Sequence, residues 1–118
     1  MKRIVLLAAS AAVLVQFTKN DLTALQTLGC GIHMVCDLQQ PAVSAAALHA
    51  FNQTFPKLIW HDIPFSDNAL SLLQNHRAKQ ALTALLEELK PDLLHCHGTI
   101  AGIYGRSVAE KLGIPVYY

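Results

Sequence analysis

Charged side chains are scarce in this chain. They occupy 14% of the 118 positions, and nine Lys and Arg residues against eight Asp and Glu residues leave a formal net charge of +1. Proteins that bind nucleic acid through charge carry a strong positive field, so we expect no nucleic-acid partner. The 53% share of hydrophobic residues excludes intrinsic disorder, and the length predicts one domain.

Cysteine is also rare and shows no pairing pattern. Cys30, Cys36 and Cys96 are odd in number and none forms a C-x-x-C pair, which favours free buried thiols in a reducing, cytoplasmic compartment. The start leaves an alternative open, because Lys2-Arg3 ahead of the apolar run from Ile4 to Val15 also has the form of a secretory signal. Against this alternative, the same run supplies the predicted first, central strand, and it is too short to span a bilayer.

Several nucleotide-binding and catalytic motifs are missing. The Gly29-Cys30-Gly31 stretch lacks the third glycine of a dinucleotide fingerprint and precedes a predicted strand instead of following one. The chain contains no P-loop and no G-x-S-x-G elbow, and the turn after the first strand holds no Asp or Glu. These absences argue against a P-loop enzyme, an α/β hydrolase and a phospho-receiver domain.

What the chain does contain is an alternation of strands and helices. We predict strands at Lys2–Ala9, Ile32–Asp37, Lys57–His61, Asp92–Cys96 and Ile114–Tyr118, a turn at Ser10–Ala12, and helices at Val13–Leu28, Ala42–Phe51, Asn68–Lys90 and Thr99–Leu112. Gly29 and Gly113 end two of the helices, and Ser66 or Asp67 caps the third. This order predicts an α/β, Rossmann-like, doubly wound parallel sheet of strand order 3-2-1-4-5 with helices on both faces.

In such a sheet, ligands bind at the carboxyl ends of the strands where the strand order reverses, between strands one and four. Ser10 and Ala11 follow strand one, and His97, Gly98 and Thr99 follow strand four at the start of a helix. Backbone N–H groups at a helix start favour an anionic or hydroxyl-rich ligand. We therefore predict that Ser10, Ala11, Gly98 and Thr99 bind substrate.

His97 is the predicted catalytic residue, because a neutral imidazole at a strand end can orient a sugar hydroxyl or accept a proton. The alternative is a structural loop histidine without a ligand. Side chains alternate along a strand, so His95 and His97 face one side and Cys96 the other, and the triplet cannot act together as a metal site. We expect His95 to be a core residue and predict no metal site. The remaining histidines are scattered and are interpreted as structural: His33, His49, His61 and His76.

Short motifs along most of the chain resemble one enzyme family. They are Lys2-Arg-Ile-Val-Leu-Leu7, Leu28-Gly29, His33-Met-Val35, Ile63-Pro-Phe-Ser66, the long Leu-rich helix, Pro91-Asp-Leu-Leu-His-Cys-His97, Ala101-Gly102, Gly105-Arg106 and Lys111-Leu-Gly-Ile-Pro-Val-Tyr117. In order and spacing they resemble the N-terminal half of a family 4 (GT-B) glycosyltransferase of the bacterial capsule and exopolysaccharide type.

This resemblance implies retaining transfer of a sugar from a nucleotide-sugar donor to a lipid-linked or saccharide acceptor, with no required metal or other cofactor. It implies that residues 1–118 form the N-terminal, acceptor-binding lobe, in which His97 contacts the sugar or assists transfer. The family's paired glutamates seven residues apart are missing, so we expect the donor lobe to be absent and the isolated chain to be inactive. A non-catalytic binding module, or a subunit of a split glycosyltransferase, is the alternative. A lipid-linked acceptor would bring the chain to the inner face of a membrane, although core packing explains the apolar face of the first helix equally well.

Overall fold

A computed structural model describes residues 1–118, which form one parallel sheet between two layers of helices. The elements in chain order are β1 (Arg3–Ser10), α1 (Ala11–Phe17), α2 (Lys19–Thr27), β2 (Gly31–Asp37), α3 (Ala45–Thr54), β3 (Ile59–Asp62), α4 (Leu72–Leu89), β4 (Leu93–His97), α5 (Thr99–Leu112) and β5 (Val116–Tyr117). All pairings are parallel and the strand order is β3-β2-β1-β4-β5. The predicted Rossmann-like α/β fold and its strand order are confirmed.

Strand β1 is the centre of the sheet. It pairs with β2 on one side and β4 on the other, and six consecutive residues from Ile4 to Ala9 are buried. Burial on both faces explains why this strand lacks the polar alternation of a half-exposed strand. The apolar run from Ile4 to Val15, which was also interpreted as a possible secretory signal, thus forms the central strand and most of α1.

The two faces of the sheet carry separate cores. Helices α4 and α5 cover one face, where Val5, Leu7, Leu94 and Cys96 pack. Helices α1 to α3 cover the other face, where the side chains of alternate strand residues pack. None of the helices combines the length and the hydrophobicity that a membrane-spanning helix requires.

The predicted helix over Val13–Leu28 is wrong, because the structure divides it at Thr18. Thr18 is fully buried with φ −111° and ψ 0°, and its hydroxyl donates a hydrogen bond to the Leu14 carbonyl oxygen. A hydroxyl that bonds to the preceding turn competes with regular helix hydrogen bonding. The predicted turn at Ser10–Ala12 is also wrong, because Ser10 is the last residue of β1 and α1 begins at Ala11.

Two further helix starts differ from the prediction. Helix α3 covers Ala45–Thr54 instead of 42–51, because the Ser44 side chain accepts a hydrogen bond from the Ala47 N–H at 3.1 Å. Helix α4 begins at Leu72, and its N-cap residue is Ser71 instead of Ser66 or Asp67. The strand bounds differ from the predicted ones by at most two residues at either end.

Helix α5 has the predicted bounds and packs closely on the sheet. A Cβ atom at Gly105 would lie 2.5 Å from Cys96 Sγ and 2.9 Å from Leu7 Cδ2, so only glycine allows this approach. The helix ends at Gly113, whose φ of 72° is left-handed. Gly105 therefore sets the distance between α5 and strands β1 and β4.

Candidate functional site

The strand order reverses between β1 and β4, and the predicted site residues lie at the carboxyl ends of these two strands. Ala8 of β1 pairs with His97 of β4 in the register. Beyond this pair the chain enters α1 from β1 and α5 from β4, and the two helices cover opposite faces of the sheet. This divergence leaves the crevice that doubly wound folds use for ligands.

His97 is the last residue of β4 and is half-buried. Its ring packs against the His95 ring with centroids 4.2 Å apart, as the predicted alternation requires, while Cys96 lies in the core on the α5 face. Burial, with a smaller contribution from His95, lowers the pKa of His97, and the Asp21 carboxylate partly opposes this shift. The imidazole is therefore neutral near pH 7, and its buried Nε2 atom has no hydrogen-bond partner.

Gly98 and Thr99 form the exposed start of α5. Gly98 has a φ of 96°, a value that favours glycine, and no side chain caps the helix. Both residues line an open groove of about 430 Å³ together with Arg106 and Tyr118. An uncapped helix start beside a guanidinium suits an anionic or hydroxyl-rich group.

Ser10 lies in a different cleft. This cleft of about 490 Å³ is lined by Ala9, Ser10, Asp37, Gln40, Ala42, Phe65, Ser66, Asp67 and Gln74, and His97 is not among them. Ser10 and His97, which the sequence places at the ends of neighbouring strands, therefore do not line one common cleft; after a register shift that follows Leu7, Ser10 pairs with Asp37 of β2. Ala11 is fully buried, so its side chain has no access to a ligand.

The structure adds polar residues to the Ser10 cleft that the sequence analysis missed. Asp37 ends β2, and its Oδ1 accepts hydrogen bonds from the N–H groups of Gln39 and Gln40 at 2.9 and 3.2 Å. Ser66 is held by the fully buried Asn75, whose Oδ1 accepts from the Ser66 N–H at 2.7 Å. The position of Asp37 at a strand end was the available signal, whereas nothing local in the sequence marks Asn75.

Comparison with known proteins identifies the family. The profile described as glycosyl transferase 4-like matches residues 3–118. The chain belongs to the glycosyl transferase 4-like family. A search of curated proteins finds no match.

Solved structures share the fold of this glycosyl transferase 4-like domain. A UDP-N-acetylglucosamine 2-epimerase matches with a TM-score of 0.72 at 18% identity, over 98% of this chain and 32% of that chain. MurG of Acinetobacter baumannii matches with a TM-score of 0.64 at 18% identity, over 98% of this chain and 34% of that chain. Glycosyltransferase SsfS6 of Streptomyces sp. SF2575, complexed with thymidine diphosphate, matches with a TM-score of 0.63 at 18% identity, over 98% of this chain and 37% of that chain. The chain thus spans about a third of the length of these structures.

Two histidines interpreted as scattered form a pair in this glycosyl transferase 4-like domain. His33 Nδ1 lies 2.9 Å from His61 Nε2, and the rings stack with centroids 5.1 Å apart. The parallel pairing of β2 with β3 brings them together, because Val35, two residues after His33, pairs with His61. Burial is the main cause that lowers the pKa of both rings.

The cysteines of the domain are free, and two are structural. Burial raises the pKa of Cys36 and of Cys96 to about 12, with Asp37 and Asp62 adding to the shift at Cys36. A thiol with such a pKa is not a nucleophile near neutral pH. The prediction of free buried thiols holds for Cys36 and Cys96, whereas Cys30 is free but only half-buried. Cys96 is a core residue despite its position between two histidines.

Proposed function

We propose that this chain is the N-terminal, acceptor-binding lobe of a retaining glycosyltransferase of the capsule and exopolysaccharide type. It would receive a lipid-linked or saccharide acceptor, while a C-terminal donor lobe supplies the nucleotide sugar. The observation that carries the proposal is the placement of His97, Gly98 and Thr99 at the reversal of the strand order, in a chain that belongs to a glycosyltransferase family.

His97 would contact the sugar or accept a proton from the attacking hydroxyl. Support comes from its neutral imidazole, which burial keeps from protonation near pH 7, and from its position at the strand end. The uncapped N–H groups at Gly98 and Thr99 would bind acceptor oxygens, and Arg106 in the same groove would attract an anionic portion of a lipid-linked acceptor.

Ser10 would contribute its hydroxyl from the neighbouring cleft, and Ala11 only its backbone. Asp37 and Ser66 in that cleft offer further acceptors and donors for sugar hydroxyls. The charged and polar lining suits a saccharide better than an apolar ligand.

The test is a titration of the isotope-labelled chain with a free oligosaccharide and with a short-chain polyprenyl diphosphate monosaccharide, followed by amide chemical shifts. We expect shifts at Gly98, Thr99 and Ser10 that weaken in His97→Ala and persist in His49→Ala, a variant of an exposed histidine elsewhere. Amide chemical shift changes confined to other surfaces would contradict the assignment. So would binding of these ligands by His97→Ala that equals binding by the unmodified chain.

Catalysis needs a separate measurement. In the enzyme joined to its donor lobe, His97→Ala should reduce sugar transfer while thermal unfolding stays unchanged. The chain alone should neither transfer nor hydrolyse a nucleotide sugar, and unaided turnover would refute the lobe assignment.

A non-catalytic module or a subunit of a split glycosyltransferase is the competing function. Residues 1–118 lack paired glutamates with the family's spacing, which is compatible with a partner subunit that carries the donor lobe. Stable co-purification with a separately encoded donor-lobe protein would favour this alternative. A reading frame that continues past Tyr118 into a donor lobe would favour the single-chain enzyme.

A further inference from the structure

Asp21, His95 and His97 meet on the face of β4 that lies opposite α5. Each of the three side chains offers one ligand atom, and these atoms all lie within 4.8 Å of one another. His95 and His97 share the face because side chains alternate along β4. Asp21 joins them because the chain breaks at Thr18 and places Asp21 in the first turn of α2.

The histidine rings are held in place by their neighbours. The His95 ring packs against His97 at 4.2 Å and meets the Tyr117 ring edge-on at 4.7 Å between centroids. The Nε2 atom of His97 is buried and has no hydrogen-bond partner. A buried polar atom without a partner carries a desolvation cost, which a ligand bound to this nitrogen would relieve.

The third side chain is free to move. Asp21 is exposed, and it takes part in neither of the two ion pairs of the chain, which are Lys2–Asp92 and Arg106–Glu110. Metal–ligand bonds of about 2.0–2.2 Å place ligand atoms roughly 3 Å apart. Changes in the side-chain conformations of Asp21, His95 and His97 would together supply that contraction.

We propose that Asp21, His95 and His97 bind one divalent transition-metal ion of the Zn²⁺, Ni²⁺ and Cu²⁺ class. Two imidazoles and one carboxylate suit these ions, whereas Mg²⁺ and Ca²⁺ prefer oxygen ligands throughout. This inference revises the sequence prediction of no metal site and does not rest on the proposed function.

Three protein ligands leave at least one coordination position open. The ion would also engage the imidazole of His97, which the proposed function assigns to the acceptor. This consequence alone rests on the proposed function: metal binding and acceptor binding would compete for that side chain.

The experiment measures Zn²⁺ alone binding to the full chain by calorimetry in a buffer without chelators, with Co²⁺ absorption as a second readout. We expect one ion per chain, and binding about tenfold or more weaker in Asp21→Asn, His95→Gln and His97→Gln. His49→Gln and His76→Gln, at exposed positions outside the cluster, are matched controls and should bind as the unmodified chain does.

Absence of Zn²⁺ binding at millimolar concentration would overturn the proposal. So would binding that Asp21→Asn leaves unchanged, or binding that is lost in His33→Gln, which would place the ion at the other histidine pair. Circular dichroism checks the fold of each variant. If a histidine variant fails to fold, Asp21→Asn decides the question, because this exposed residue forms no ion pair that the substitution removes.

Discussion

Gly105 and Gly102 form a matched pair on α5 that isolates the steric cost of the helix–sheet approach. A Cβ atom at Gly105 would lie 2.5 Å from Cys96 Sγ, 2.9 Å from Leu7 Cδ2 and 3.3 Å from Leu94 Cδ2. A Cβ atom at Gly102 would have no heavy atom within 4 Å. Both substitutions to alanine raise the helix propensity by the same amount, about 1 kcal/mol. This contribution therefore cancels when the free energies of unfolding of the two variants are compared.

The packing around Gly105 sets the free-energy cost of adding a methyl group there. Two of the three atoms are nearer to the Gly105 position than any real Cβ contact allows, and they belong to core residues that cannot move into solvent. Overpacking of this kind costs about 1–3 kcal/mol. Gly105→Ala should therefore be less stable than Gly102→Ala by roughly 1–3 kcal/mol, while Gly102→Ala itself should stabilise the chain by about 0.5–1 kcal/mol.

Urea unfolding of both variants, followed by circular dichroism, measures the two free energies of unfolding. If the free energies of unfolding of Gly105→Ala and Gly102→Ala agree within about 0.3 kcal/mol, the close approach of α5 to β4 is refuted. The approach also fixes the start of α5, so Gly105→Ala should shift the amide signals of Gly98 and Thr99 even without a ligand.

Three other predictions concern the clefts and the buried groups. Asn75→Ala should lower the free energy of unfolding by about 1–3 kcal/mol, because it removes the partner of the Ser66 N–H at 2.7 Å. In the native chain at pH 7.5, a thiol reagent should label only Cys30, since burial raises the pKa of the other two thiols to about 12. Below about pH 6.5, the free energy of unfolding should fall, because burial lowers the pKa of His33 and His61 in the folded chain and the unfolded chain takes up protons first.

Each of these predictions has a control. Gln80→Ala, an exposed amide on the same helix as Asn75, should leave stability within about 0.5 kcal/mol of the unmodified chain. Denaturant should expose all three thiols to the reagent. His33→Gln should reduce the fall in stability with acid, and an undiminished fall would assign it to other groups.

The predictions that the structure confirms come from sequence patterns that are local and repeated. The order of strands and helices along the chain follows from apolar segments that alternate with helical ones, and the predicted sheet order, which is typical of such chains, is the one observed. The bounds of α5 were also correct, because Gly98 and Gly113 both have positive φ values that mark its two ends. The opposite facing of Cys96 and its two neighbouring histidines followed from strand alternation alone.

Two of the errors, at the break between α1 and α2 and at the start of α4, occurred where a buried side chain outweighs the local pattern. In the sequence, Thr18 is a single polar residue within a helical pattern. In the structure it is buried, its hydroxyl donates a hydrogen bond to the Leu14 carbonyl oxygen, and the helix is divided there. Ser66 and Asp67 have the form of a helix cap, but Asn75 of α4 binds the Ser66 backbone and holds that segment outside the helix. Neither interaction has a signature in a short window of sequence.

Local patterns in the amino-acid sequence are sufficient to predict the α/β class, the central strand and the strand end at which His97 lies. The contacts between distant side chains became known only from the folded chain: His33 with His61, Asn75 with Ser66, and Asp21 with His95 and His97. The physical reason is that hydrophobic periodicity reports which face of an element is buried. Contact between elements depends on strand register and helix breaks, which the whole packed chain sets.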